Sequence, residues 1–174
     1  MFYQLYEFNH AAMQPFRAYA DSLKLFYSNP LNPFSQTPFG RSMAASAEIF
    51  ERTTRRYGKP AFDLASTVVD WKPVAVTEEC VWSRPFCKLI HFRRALPGNR
   101  RKDPKLLIVA PMSGHYATLL RGTVEAMLPH ADVYITDWVD ARMVPTSEGT
   151  FDLDDYIDYV IDMLRALGPD THVM

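Results

Sequence analysis

Residues 105–122 read KLLIVAPMSGHYATLLRG, and residues 132–136 read DVYIT. Leu106–Ala110 is an unbroken apolar run, the texture of a strand buried on both faces of a parallel sheet. It breaks at Pro111, passes through a small-residue turn of Ser113, Gly114 and His115, and gives way to a helical pattern over about residues 116–128. A second buried strand is expected at residues 132–136, and a loop over 137–150. This order of strand, corner, helix and strand is how a chain builds the mouth of an α/β site.

Further along, Leu153, Tyr156, Ile157, Val160, Ile161, Leu164 and Leu167 recur at helical spacing. Asp152 suits the N-cap, Asp154 and Asp155 suit the positive end of the helix dipole, and Gly168-Pro169 ends the helix. Thr171–Met174 then opens a third strand. Alternating strands and helices imply right-handed crossovers and a parallel sheet. Such a sheet normally has more strands, so the expectation is a chain cut shortly after the third begins.

Upstream of Lys105 the texture differs. Residues 2–27 place aromatic and aliphatic side chains at helical spacing, and Pro15 is expected to kink or divide that helix. SNPLNPFSQTPFG is a loop by its prolines and asparagines. A further helix is expected over 39–57, stopped by Gly58-Lys59-Pro60. Residues 65–94 shift to a period of two, with Val74, Val76 and Glu78 on one side and a β-prone run through Leu89, Ile90 and Phe92. Two or three antiparallel strands are expected there. Residues 96–104, LPGNRRKDP, read as a polar linker. The division is a helical extension at 1–60 and an α/β core at 61–174.

Composition excludes several classes. A hydrophobic share of 48% supports a sizeable core, and a formal charge of −1 lacks the excess a general nucleic-acid binder carries. The basic runs at Arg52–Arg56 and Asn99–Lys102 read as a solvated helix end and a surface linker. Cys80 and Cys87 form no disulfide framework. No signal-peptide order opens the chain, and no stretch approaches the roughly 18 uncharged apolar residues of a membrane span. A soluble, cytoplasmic protein is expected.

Three readings compete for Pro111–His115. A dinucleotide fingerprint needs more glycines, and the phosphate-cradling pattern GxxxxGK[ST] is absent. The third reading is an oxyanion loop, where a backbone N–H meets the negative oxygen formed when an ester carbonyl is attacked. An ordinary βα turn remains the simpler alternative.

Longer stretches carry a resemblance. SNPLNPFSQTPFGR, ERTTRRYGKPAF, RPFCKLIHF, LIVAPMSGHYATLLRGTVEAMLP, DVYITDWVDARMVP and FDLDDYIDYVIDMLRALGPDTHV run over nearly the whole chain. Together they resemble the intracellular polyhydroxyalkanoate (polyhydroxybutyrate) depolymerases. The resemblance implies an α/β-hydrolase fold, preceded by antiparallel strands and a helical extension. It implies hydrolysis of stored polyester to 3-hydroxyacids at granule surfaces by a nucleophile–acid–histidine triad, with no cofactor and no metal. The partner implied is the polyhydroxyalkanoate granule or its oligomers, with no nucleic acid. The family's nucleophile elbow follows the strand that begins here near His172, and its acid and histidine come later, so no triad residue falls within this sequence.

The candidate site residues follow. If 106–110 is the third strand of the fold, the amide just past Pro111 is best placed as oxyanion donor, Met112 first and Ser113 second. Ser113 lacks the GxSxG elbow of a nucleophile. His115 is read either as a general base or as a residue that opens the helix, bonds locally or shapes the substrate mouth. The family's catalytic histidine comes late in the chain, which favours the second. Asp137, Asp140 and Arg142 lie past the second strand, as a loop-bracing pair or as substrate contacts. Asp152, Asp154, Asp155 and Asp158 lack calcium-loop spacing, and Cys80, Cys87, His91 and His172 lack zinc-ligand spacing. The aromatic N-terminal helices pack on the core or adsorb to a hydrophobic polymer. Two rival functions stand beside the depolymerase: a synthase-like acyltransferase, and a non-catalytic granule-associated binding protein.

Overall fold

The computed structural model describes residues 2–98, 103–112 and 116–174. Two compact units divide the chain, Met1–Gly58 and Lys59–Met174.

The first unit is helical: α1 (Phe2–Ala12), α2 (Gln14–Ser28) and α3 (Pro38–Thr54). Pro15 sits in the first turn of α2, where its missing amide costs no helical bond, and the chain divides at Met13. Arg17 reaches from α2 to the carbonyls of His10 and Thr54, closing the ends of α1 and α3. Buried Ala20 and Ala47 mark the contact between α2 and α3. Thr37 caps α3 by accepting from the amide of Gly40 at 3.0 Å. Only glycine fits at 40, since a Cβ there would meet the Phe34 carbonyl oxygen at 2.0 Å. The expected helix over 39–57 ends early, at Thr54. The Thr54 hydroxyl bonds back to the Phe50 carbonyl and Arg55 is already extended, so Gly58-Lys59-Pro60 is not the stop.

The second unit is a six-stranded mixed sheet: β1 (Ser66–Val69), β2 (Lys72–Arg84), β3 (Cys87–Arg94), β4 (Lys105–Ile108), β5 (Asp132–Trp138) and β6 (Thr171–Val173). Its order is β1-β2-β3-β5-β4-β6. β1, β2, β3 and β5 pair antiparallel in turn, whereas β4 pairs parallel with both β5 and β6. The β1–β2 hairpin turns through Asp70 and Trp71, both at positive φ (49° and 64°). Such a turn is usually built from glycine or asparagine, and a bulky residue there costs on the order of 1–3 kcal/mol.

Helices cover the two faces by alternation along the strands. Leu106, Ile108, Val133 and Ile135 point to one side, where they meet Val124 and Leu128 of the α4 segment (α4, Arg121–Met127), together with Phe62 and Phe92. Leu107, Tyr134 and Trp138 point to the other, onto Tyr159, Met163 and Leu167 of α5 (Leu153–Leu167). The helix expected over 116–128 opens as a 3₁₀ turn, Ala117–Leu120, before α4. α5 begins with a full capping box between Asp152 and Asp155 and ends at Gly168, whose φ of +82° favours glycine. Its buried line differs from the centre of its apolar arc: Tyr159 and Met163 face the sheet, while Leu153, Ile157 and Ile161 are exposed.

At the amino-terminal end of β5, His91 and Tyr134 stack at 4.3 Å, and both bond the Asp132 carboxylate. Nearby, Arg94 and Asp103 form a buried ion pair at 2.9 Å, and Arg94 also donates to the Leu128 carbonyl.

Candidate active site

The chain leaves β4 toward α4 on one face of the sheet and leaves β5 toward α5 on the other. Where adjacent parallel strands send their connections to opposite faces, a crevice opens outside their carboxyl ends. The residues at that edge are Val109–Met112 after β4, and Thr136, Asp137 and Trp138 at the end of β5.

Two side chains of β5 hold Ala110, the residue that starts the turn after β4. The Ala110 amide donates to the Thr136 hydroxyl at 2.8 Å, and the Trp138 indole N–H donates to the Ala110 carbonyl at 2.9 Å. Thr136 is fully buried and Trp138 nearly so. Trp138 is itself clamped, stacked on Tyr156 at 4.6 Å and packed against Phe151 and Tyr159. Phe86 lies on Phe151, and Trp82 meets Tyr159, so six aromatic rings form one wall on the α5 side. Beyond this clamp the backbone emerges, and Met112 is 46% exposed. Its amide therefore follows a residue, Ala110, whose N–H and C=O are both fixed. Ser113 and His115 lie outside the described residues.

Asp137 belongs to the last turn of the β5 ladder rather than to the loop expected at 137–150, because β5 stays paired with β3 through Trp138. Its buried carboxylate pairs with Lys59, and its Oδ1 has no hydrogen-bond partner among the described residues. Glu78 lies in the same electrostatic neighbourhood. Burial raises its carboxyl above the ordinary value; Lys59 opposes the rise, and Asp63 and Asp137 add to it. Arg142 pairs instead with Asp140, its Nε 3.0 Å from each carboxylate oxygen, across a 3₁₀ turn (Ala141–Met143).

The remaining candidates are structural in their surroundings. Cys87 is completely buried beside Asp137, and burial pushes its thiol up to about 12, which keeps it protonated. Asp152 and Asp155 cap α5. His91 lies at the far end of the sheet, and His172 is exposed on β6. Among the described residues no group of three or more acidic, histidine or cysteine side chains could hold a metal. In the Arg52–Arg56 run, Arg52, Arg55 and Arg56 pair with Glu48, Glu51 and Glu7, which is the solvated-face reading of that segment. Asn99–Lys102 lies outside the described residues. No helix among the described residues is long and apolar enough to cross a membrane.

Sequence reasoning singled out Met112, Asp137 and Arg142 but missed Lys59, Thr136 and Trp138. Lys59 reads locally as part of a helix stop, and nothing local marks its carboxylate partner. Thr136 and Trp138 had one available signal: in a buried strand, a hydroxyl and an indole N–H each need a partner. Comparison with protein-family models, with curated proteins and with solved structures returns no match.

Proposed function

We propose that this chain carries the N-terminal part of an α/β-hydrolase-type esterase that degrades stored polyhydroxyalkanoate in the cytoplasm, at the granule surface. The observation that supports this most is the strand order. An antiparallel pair, β2 and β3, leads into β5-β4-β6, so that the turn after β4 lies at a crevice between diverging connections. That is where an oxyanion loop has to stand relative to a nucleophile on the turn following β6.

In the proposed reaction that nucleophile attacks the ester carbonyl carbon. The electron pair moves to the carbonyl oxygen, which accepts from the backbone N–H at Met112, with Ser113 as the second donor. The alcohol leaves with a proton, and water then releases the 3-hydroxyacid from the acyl-enzyme. The role of Thr136 and Trp138 in this reading is to orient the peptide before Met112. Asp137, with Lys59, edges the substrate mouth, and the Asp140–Arg142 pair shapes its rim.

A non-catalytic granule-binding role is supported by a separate observation. The unit Met1–Gly58 exposes Phe8, Phe16, Tyr19, Leu25, Phe26 and Phe34, all more than half accessible. Both readings require adsorption to polyester and differ in ester cleavage. Residues 1–174, mixed with amorphous polyhydroxybutyrate particles, are expected to sediment with them and to release no 3-hydroxybutyrate. A chain continued through a nucleophile elbow, acid and histidine is expected to release it. Turnover by residues 1–174 alone would overturn the placement of the nucleophile, and failure to sediment would overturn polyester as the substrate.

A further inference from the structure

We infer that the β1–β2 hairpin is a surface anchor whose tip, Trp71, inserts into the polyester; this rests on the proposed substrate. Of the three tryptophans, Trp138 is buried with its N–H bonded, and Trp82 packs edge-on against Tyr159. Trp71 is 98% exposed. It occupies the second position of a two-residue turn, between the paired residues Val69 and Lys72, with a φ of 64°. Glycine relieves that position and tryptophan strains it. A large ring held in a disfavoured conformation and fully in water gains nothing inside this chain, so its gain must come from outside.

The chemistry of the tip narrows the partner. Indole has an apolar body and one N–H donor, which suits a surface of methylene and methyl groups interspersed with ester carbonyls. Among the described residues of the turn, Asp70 and Lys72 cancel in formal charge and form no basic cluster of the kind that draws a protein to an anionic bilayer. Apart from Trp71, the large apolar side chain exposed on this hairpin near the turn is Val68. That is too little for a specific protein–protein interface, which buries roughly 800 Å² per partner. A single projecting ring needs no matching pocket when the partner is a continuous amorphous surface.

The test compares adsorption isotherms of the 174-residue chain and its Trp71→Gly, Trp71→Ala and Trp71→Phe variants on amorphous polyhydroxybutyrate particles, with melting temperatures measured alongside. Trp71→Gly relieves the turn, so its melting temperature is expected to rise while its partition to polyester falls roughly tenfold. Trp71→Ala is expected to lose as much, and Trp71→Phe, which keeps a ring without the donor, to fall between. Equal adsorption by Trp71→Gly and the unaltered chain would overturn the anchor and leave the polyester reading standing. No adsorption by the unaltered chain would overturn both. Trp71-dependent binding to phosphatidylcholine vesicles as strong as to polyester would overturn the choice of surface.

Discussion

The indole N–H of Trp138 donates to the carbonyl oxygen of Ala110 at 2.9 Å, from the last residue of β5 to the corner that follows β4. Thr136, two residues earlier on the same strand, accepts from the amide of the same alanine at 2.8 Å. One residue is thus held at both its N–H and its C=O by a neighbouring strand, just where the chain turns away from the sheet.

Removing either hold leaves a backbone group unpaired where water does not reach. Thr136→Val keeps the shape but strands the Ala110 N–H, and Trp138→Phe keeps the ring over Tyr156 but strands the Ala110 carbonyl. Each variant is expected to lose about 1–3 kcal/mol, read from urea unfolding midpoints at unchanged slope. Hydrogen exchange separates this from general loosening. Protection should fall at Ala110 in both variants and persist at Leu107 and Ile135.

The parallel half of the sheet is legible in the sequence because both of its faces are buried. Leu106–Ala110 and Val133–Ile135 show up as continuous apolar runs, and the Asp152 capping box marks where α5 starts. The crevice is less legible, because its contacts join residues far apart in the chain. Ala110 and Thr136 are 26 residues apart, and Lys59 and Asp137 are 78 apart, so no local period encodes them. The apolar arc of α5 is also wider than the sheet covers. Periodicity identifies the arc, but the register of the sheet decides that Tyr159 and Met163 are covered while Ile157 and Ile161 are not. Met112 is legible only as a position after a corner, since a backbone donor requires no particular side chain.

The acid limb of stability should report the cluster at the other end of β5. Burial alone would raise the Asp132 carboxyl. The hydrogen bond and charge of His91, with the Tyr134 hydroxyl and the Arg94 charge, outweigh it and hold the folded value below the ordinary one. A depressed folded value means the unfolded chain takes up the proton first as pH falls. The contribution is therefore fully present above the unfolded value of about 3.9 and is lost as pH drops through the lower folded value. Asp132→Asn should lower stability at neutral pH and flatten its decline below about pH 4. Urea midpoints across that range check the slope. Parallel curves for the variant and the unaltered chain would exclude Asp132 as the source.

The two cysteines should separate cleanly under a thiol reagent. Cys80 is exposed on β2, where the ladder to β3 shifts register, and its thiol lies 3.4 Å from the Trp82 carbonyl oxygen. Cys87 is sealed between strands with its thiol pushed up to about 12, so little reactive thiolate forms at neutral pH, and the reagent cannot reach it without unfolding. One equivalent of 5,5′-dithiobis(2-nitrobenzoate) is expected to react promptly at neutral pH, and the second only as the chain opens in urea. Cys80→Ser should abolish the prompt phase and leave the slow one. Prompt labelling of Cys87 in that variant would show that β3 and β5 part readily, and would reopen the question of whether the thiol beside Asp137 takes part in the chemistry of the crevice.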